Sequence, residues 1–178
     1  MSRFLTPLLA ATIVAAGAGA ASAELALESV HWQQGRVEGG RVAFWKDVKT
    51  NTTVPTSADR MRARLIMKND GPQNEEGLLL RYSLTARVLP ENGGAADGAW
   101  AVPFSIDEKR VPKVGAEKTI EVPLDASAAI DLYLKRVSRA GWRLDRLKIQ
   151  VMLEPHHGSK ALQMVEDVVE FVAGTTKQ

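Results

Sequence analysis

The sequence predicts a mainly β protein: a two-sheet antiparallel β-sandwich with one short crossover helix near residues 127–140. Three observations carry this. Apolar residues recur with a period of two through much of the chain, which puts alternate side chains on opposite faces of a strand. Clusters of Asn, Asp, Gly and Pro separate those runs. One stretch, from Asp125 to Gly141, switches to helical spacing.

Met1 to Ala23 stands outside this pattern. Arg3 supplies a positive start, and Phe4, Leu5, Leu8, Leu9, Ile13 and Val14 supply an apolar stretch. Ala21-Ser22-Ala23 then gives the small-x-small pattern that a signal peptidase reads. The expectation is a cleavable secretory signal at 1–23, a mature chain beginning at Glu24, and one β-sandwich domain over 24–178. The apolar stretch approaches the roughly 20 residues a bilayer span needs, but it is mostly Ala, broken by Gly and Pro, so its hydrophobic drive is weak. A single Arg rather than a pair points to the general secretion route.

Leu25 to Trp32 and Val42 to Val48 are expected as the first two strands. Asn51 to Asp59, polar and Thr/Ser-rich, is expected as a loop. Met61, Ala63, Leu65 and Met67 share one face against Arg60, Arg62, Arg64 and Lys68. Leu78, Leu80, Tyr82, Leu84, Ala86 and Val88 share one face against Arg81, Ser83, Thr85 and Arg87. Asn69-Asp70-Gly71-Pro72 and Gly77 lie between these two runs and predict a hairpin with a longer loop. Trp100 to Ile106 is expected as a strand, with Pro103 at an edge or a bulge. Ile120, Val122 and Leu124 oppose Thr119 and Glu121.

Asp125 is placed to cap a helix over Ser127 to Ala140. Ala126, Ala128 and Ala129 favour helix, and Ile130, Leu134 and Val137 fall on one face. Gly141 supplies a stop. Leu147, Ile149, Val151 and Leu153 then alternate with polar residues, and Leu162 to Val172 is the last strand. A turn at Pro155-His156-His157-Gly158 would pair these two as a hairpin, with Arg146 opposite Glu170.

This order of elements resembles exported immunoglobulin-like or fibronectin type III-like domains of bacteria, across the whole of 24–178. The Cys pair of true immunoglobulin domains is absent, and the helix is longer than that family usually carries. The resemblance implies adhesion, scaffolding or ligand binding.

Composition narrows the function classes. The chain has no Cys, which removes disulfides, thiolate chemistry and Cys-ligated metals. Lys and Arg number 23 against 21 Asp and Glu, so nothing here is polybasic and no nucleic-acid partner is expected. After the signal no segment is apolar enough to cross a membrane as a helix. Neither a Gly-x-Ser-x-Gly elbow nor a phosphate-cradling loop nor a His-Glu-x-x-His signature occurs. No catalytic residue and no cofactor is therefore assigned. The adjacent acids Asp107-Glu108 and Glu75-Glu76 point apart on a strand and make poor acid/base pairs.

Three groups of residues remain as candidates. His156 and His157, with Met152 and Met164 facing each other across the hairpin, have the imidazole and thioether chemistry of a copper site. As residues of a Pro/Gly turn they are expected to be solvated, and no stoichiometric metal is expected. Lys135, Arg136, Arg139, Arg143, Arg146 and Lys148 form a basic stretch around Trp142, suited to an anionic polymer or an acidic protein. Trp32, Phe44, Trp45, Trp100 and Phe104 form an aromatic group; Trp45 beside Trp100 would mark a partner surface.

The reading that fits these constraints is an exported, periplasmic or extracellular, non-enzymatic binding or assembly module of the cell envelope. Its partner would be an envelope protein or an anionic envelope polymer. The alternatives are a periplasmic copper-handling protein with a His/Met site, and an envelope-polymer hydrolase whose carboxylates only the fold brings together.

Overall fold

Wherever the sequence alternates, one face of the resulting strand is buried. The computed structural model describes residues 25–50, 52–56, 58–154 and 162–172. The expected signal at 1–23, the expected start at Glu24, and the Pro155–Gly158 turn with His156 and His157 lie outside the described residues.

The described chain is mainly β with one α-helix. In order it runs β1 (Leu25–Glu38), β2 (Arg41–Asp47), β3 (Thr52–Thr53), β4 (Asp59–Asn69), β5 (Glu75–Pro90), β6 (Ala99–Trp100), β7 (Ser105–Val114), β8 (Lys118–Asp125), α1 (Ser127–Arg139), β9 (Trp142–Leu153) and β10 (Gln163–Val172). One sheet has the order β2-β1-β4-β8, is antiparallel throughout, and curls into a half-barrel. The other has the order β3-β10-β9-β5-β6, with β7 also on β5. All its pairings are antiparallel except the short contact of β3 with β10, which is parallel.

The inward faces of both sheets share one core. Met61, Ala63, Leu65, Met67, Val122 and Leu124 meet Leu80, Leu84, Leu147, Ile149 and Val151 there, with Trp32 fully enclosed. The alternation expected for β4, β5, β8 and β9 is therefore the alternation observed, with one change in β5. A bulge at Asp145 in β9 shifts the register after Arg87, so Val88 packs against the core only half-buried while Leu89 is buried outside the main cluster.

The expected hairpin between β4 and β5 does not form. The two strands lie in different sheets, and Asn69 makes the corner between them. Its buried amide donates to the carbonyls of Gln73 (2.7 Å) and Gly115 (3.1 Å), and its Oδ1 accepts from the Gly71 N–H (2.9 Å). Two strands that are each apolar on one face gain more by stacking those faces than by pairing edges.

The single strand expected over Trp100 to Ile106 is also corrected: Pro103 sits in a break between β6 and β7. β7 then continues through Asp107-Glu108-Lys109-Arg110, a charged run with no alternation to announce it. It is held by its ladder to β5.

β2 pairs only with the second half of β1, from Gln33 to Glu38, so the edge of the first half is open to other partners. Side chains of β10 close it. Gln163 accepts from the Leu27 N–H (2.8 Å) and donates to the Leu25 carbonyl. Asp167 accepts from the Trp32 N–H (3.0 Å), and the Trp32 indole donates to the Asp167 carbonyl (3.2 Å).

Helix α1 covers one end of the core. Ser127 is its anchor: the hydroxyl donates to the Met61 carbonyl (2.9 Å) and accepts from the Met61 N–H (3.1 Å). The N-cap position falls on Ala126 rather than Asp125, yet the Asp125 carboxylate still accepts from the Ser127 N–H (3.0 Å). Ile130 and Val137 are buried, and Tyr133 stacks on Phe104 at 4.1 Å between centroids. Gly141, at a φ of +75°, ends the helix as expected, its N–H donating to the Ser138 carbonyl (3.1 Å).

Candidate functional site

The basic stretch singled out in the sequence divides into two parts. On α1, Leu132, Lys135, Arg136 and Arg139 fall on the pole opposite Ile130 and Val137, by a spacing of three and four. Leu132 is 53% exposed and the three cations are exposed around it. Among the described residues none of the three has an acidic partner. Trp142, just past the Gly141 turn, is 38% exposed.

On β9 the cations are answered. Arg143 donates to the Gly93 carbonyl (3.3 Å), Arg146 pairs with Glu170 (2.8 Å), and Lys148 sits 5.3 Å from the centre of the Trp100 ring. The Arg146–Glu170 register is the one the sequence predicts. The bulge residue Asp145 meets Arg87 in an ion pair, both side chains largely shielded from water.

The other candidates are placed as follows. Met152 and Met164 are cross-strand partners, as expected, and Met164 is 58% exposed. His31 lies on β1 opposite Arg64. Among the described residues no group of three or more His, Asp or Glu could hold a metal ion. Trp45 and Trp100 are not brought together: Trp45 is on β2 of the first sheet and Trp100 on β6 of the second. Phe44 is 59% exposed beside Trp45. The adjacent acids are separately engaged, Glu108 with Arg81 (2.9 Å) and Asp107 with the Tyr82 hydroxyl (3.3 Å).

A cleft of about 790 Å³ opens where β2, β4, β7, β8 and the start of α1 converge. Trp45, Arg62, Tyr82, Asp107, Lys109 and Asp125 line it. The Arg62 guanidinium lies 4.0 Å from the centre of the Trp45 ring, a cation–π contact. Burial lowers the Arg62 pKa, and the neighbouring Arg64 charge adds to that. Burial of the Tyr82 hydroxyl, with Asp107 beside it, pushes its pKa up to about 12.

No family model matches the chain, and no curated protein matches it.

The geometry therefore carries the functional reading by itself. Sequence reasoning found the Lys135, Arg136 and Arg139 cluster, because three cations near one helix end announce themselves, but not Leu132 at its centre. It missed the cleft, whose lining comes from positions between 42 and 129 with no shared motif. The available hint was local: Arg60, Arg62 and Arg64 alternate with core residues on β4, three cations within five residues of one strand.

Proposed function

We propose that this chain is an exported, non-enzymatic binding module of the cell envelope, and that the outward face of α1 is where it holds an anionic partner. One observation carries the reading. Lys135, Arg136 and Arg139 surround exposed Leu132 and form no ion pair among the described residues, while the cations of adjacent β9 are all engaged. Uncompensated cations around an apolar centre suit a surface or polymer rich in carboxylate or phosphate groups. The architecture proposed with this is an immunoglobulin-like β-sandwich, supported by two largely antiparallel sheets on one core. Export rests on the pattern of Met1 to Ala23, and the absence of any catalytic motif supports a binding role.

The test is the triple reversal Lys135→Glu, Arg136→Glu, Arg139→Glu. Its partners are recovered from envelope extract at low and high salt, alongside the elution salt of the pure protein from an immobilised polyanion. The reading expects weaker capture and earlier elution, with the difference shrinking at high salt because charge is screened over about 8–10 Å. Unchanged partners and unchanged elution would reduce α1 to a solvated face.

A second reading, copper handling, is favoured by the Met152–Met164 register, which presents two thioethers across a hairpin. Titration with Cu(I) under reductant decides it. Tight binding lost on His156→Ala with His157→Ala would promote it.

A further inference from the structure

Across the first sheet, Asp47, Gln33, Arg62 and Asp125 stand in one register row. A guanidinium directly beside a carboxylate on neighbouring strands ordinarily pairs with it. Here it does not. Asp125 accepts from the Ser127 N–H instead (3.0 Å), as part of starting α1. Asp47 accepts from Gln33 (2.7 Å) and from Arg64 (2.8 Å), and Glu121 is taken by Arg64 as well (3.0 Å). On the facing wall, Asp107 accepts from the Tyr82 hydroxyl (3.3 Å) and the Glu108 N–H (2.8 Å), and Glu108 pairs with Arg81 (2.9 Å).

Each of these acids is thus hydrogen-bonded elsewhere, Asp107 and Asp125 by neutral donors that leave their charge in place, and none of them closes on the Arg62 fork. Arg62 gives its Nε–H to Gln33 (2.8 Å) and rests over Trp45. Among the described residues its two terminal nitrogens have no acceptor, and Lys109, on the other wall, has no acidic partner. A half-buried guanidinium held over an aromatic ring, with its outer fork open, is organised for a planar oxyanion.

We infer that the cleft bounded by Trp45, Arg62, Tyr82 and Lys109 binds a carboxylate-bearing ligand, with the Arg62 fork as its anchor. Trp45 is a positioning residue that fixes the guanidinium. Gly35 makes room for it: a Cβ there would fall 2.5 Å from Val42 Cγ1, 2.8 Å from the Phe44 carbonyl oxygen and 3.0 Å from the Trp45 ring. Lys109 supplies a second positive charge, and Pro123 and Ala129 give the ligand body an apolar wall. This site is separate from the α1 face and stands without it.

The experiment uses the full chain, ¹⁵N-labelled, titrated with benzoate and with benzamide, its neutral isostere. Benzoate is expected to shift the Trp45 indole and Arg62 Nε–H resonances saturably, and benzamide is expected to leave them in place. Arg62→Gln should weaken benzoate binding by about tenfold or more, the loss of a charge-assisted bidentate pair. Arg62→Lys keeps the charge but loses the fork and should also bind more weakly. It carries the comparison if Arg62→Gln loses the dispersion of a folded amide spectrum. Equal response to benzoate and benzamide, no saturable shift, or wild-type benzoate affinity in the Arg62 variants would overturn the assignment.

Discussion

Lys135, Arg136 and Arg139 on α1 face water without an ion pair, Asp131 one turn before Lys135 notwithstanding, whereas Arg143, Arg146 and Lys148, a few residues later on β9, each have a partner. The two groups have the same chemistry and nearly the same place in the sequence. What separates them is the element that carries them. A strand inside a sheet is flanked at fixed register, so β10 delivers Glu170 to Arg146 and the β9 bulge sets Asp145 beside Arg87. A helix lying on the end of a core has no such neighbour on its outer pole. Charge on β9 is absorbed by the fold, and charge on this helix is left to the solvent.

Removing the platform breaks the comparison most severely. Ile130→Ala empties a fully buried position under α1 and should cost about 2–5 kcal/mol in chemical denaturation. A loss well below that would mean the helix is not held through Ile130. Next comes the shielded ion pair. Arg87→Gln leaves the Asp145 carboxylate, whose side chain is only 17% exposed, with Arg146 at 3.6 Å alone, and should destabilise by about 1–3 kcal/mol, less than a fully buried pair because some water and a second cation reach it. An Arg87 variant as stable as wild type would place this pair with the idle surface charges.

Tyr82 gives a pH test of a group answered by the fold. Its pKa is raised in the folded state to about 12, above the usual value of 10, chiefly by burial. The folded chain therefore holds the phenolic proton longer than the unfolded chain, and stability must fall as pH rises through the interval from 10 to 12. Tyr82→Phe should flatten that part of the stability curve. An unchanged slope would assign the alkaline loss to other groups.

Smaller still is Glu170→Gln, an exposed pair whose removal should cost under about 1 kcal/mol. It also frees Arg146, so retention on a polyanion should rise; a fall would show that β9 cations do not add to the α1 face. Last is neutralisation of the same face, Lys135→Gln with Arg136→Gln and Arg139→Gln, expected to cost under about 1 kcal/mol from the lost helix-end charge while changing partner capture. A large drop in melting temperature would show that those cations serve the fold after all.

Period-two alternation made the buried faces of β4, β5, β8 and β9 legible in the sequence, and helical spacing did the same for α1. Which strands become neighbours was less legible. Asn69-Asp70-Gly71-Pro72 has the composition of a hairpin turn, and only the carbonyls of Gln73 and Gly115 around Asn69 make it a corner between sheets. β7 was missed because pairing to β5, not its own pattern, makes it a strand. The Arg146–Glu170 register was readable because a hairpin counts residues outward from a single turn. The cleft was not, since Arg62 becomes available only through what Asp125, Asp47 and Glu121 do elsewhere.

The seam where Gln163 and Asp167 close the open edge of β1 also sets when this chain finishes folding. Its hydrogen bonds join residues 135 to 138 positions apart, so they form only once nearly the whole described chain is present. Loops of that length make closure slow, and contacts this remote in sequence place the topology among slow folders. Until β10 arrives, the first half of β1 keeps an unpaired edge able to recruit a stray strand. A chain emerging from its N-terminus therefore stays pliable until β10 appears, and rigidity comes to the two sheets together rather than one after the other.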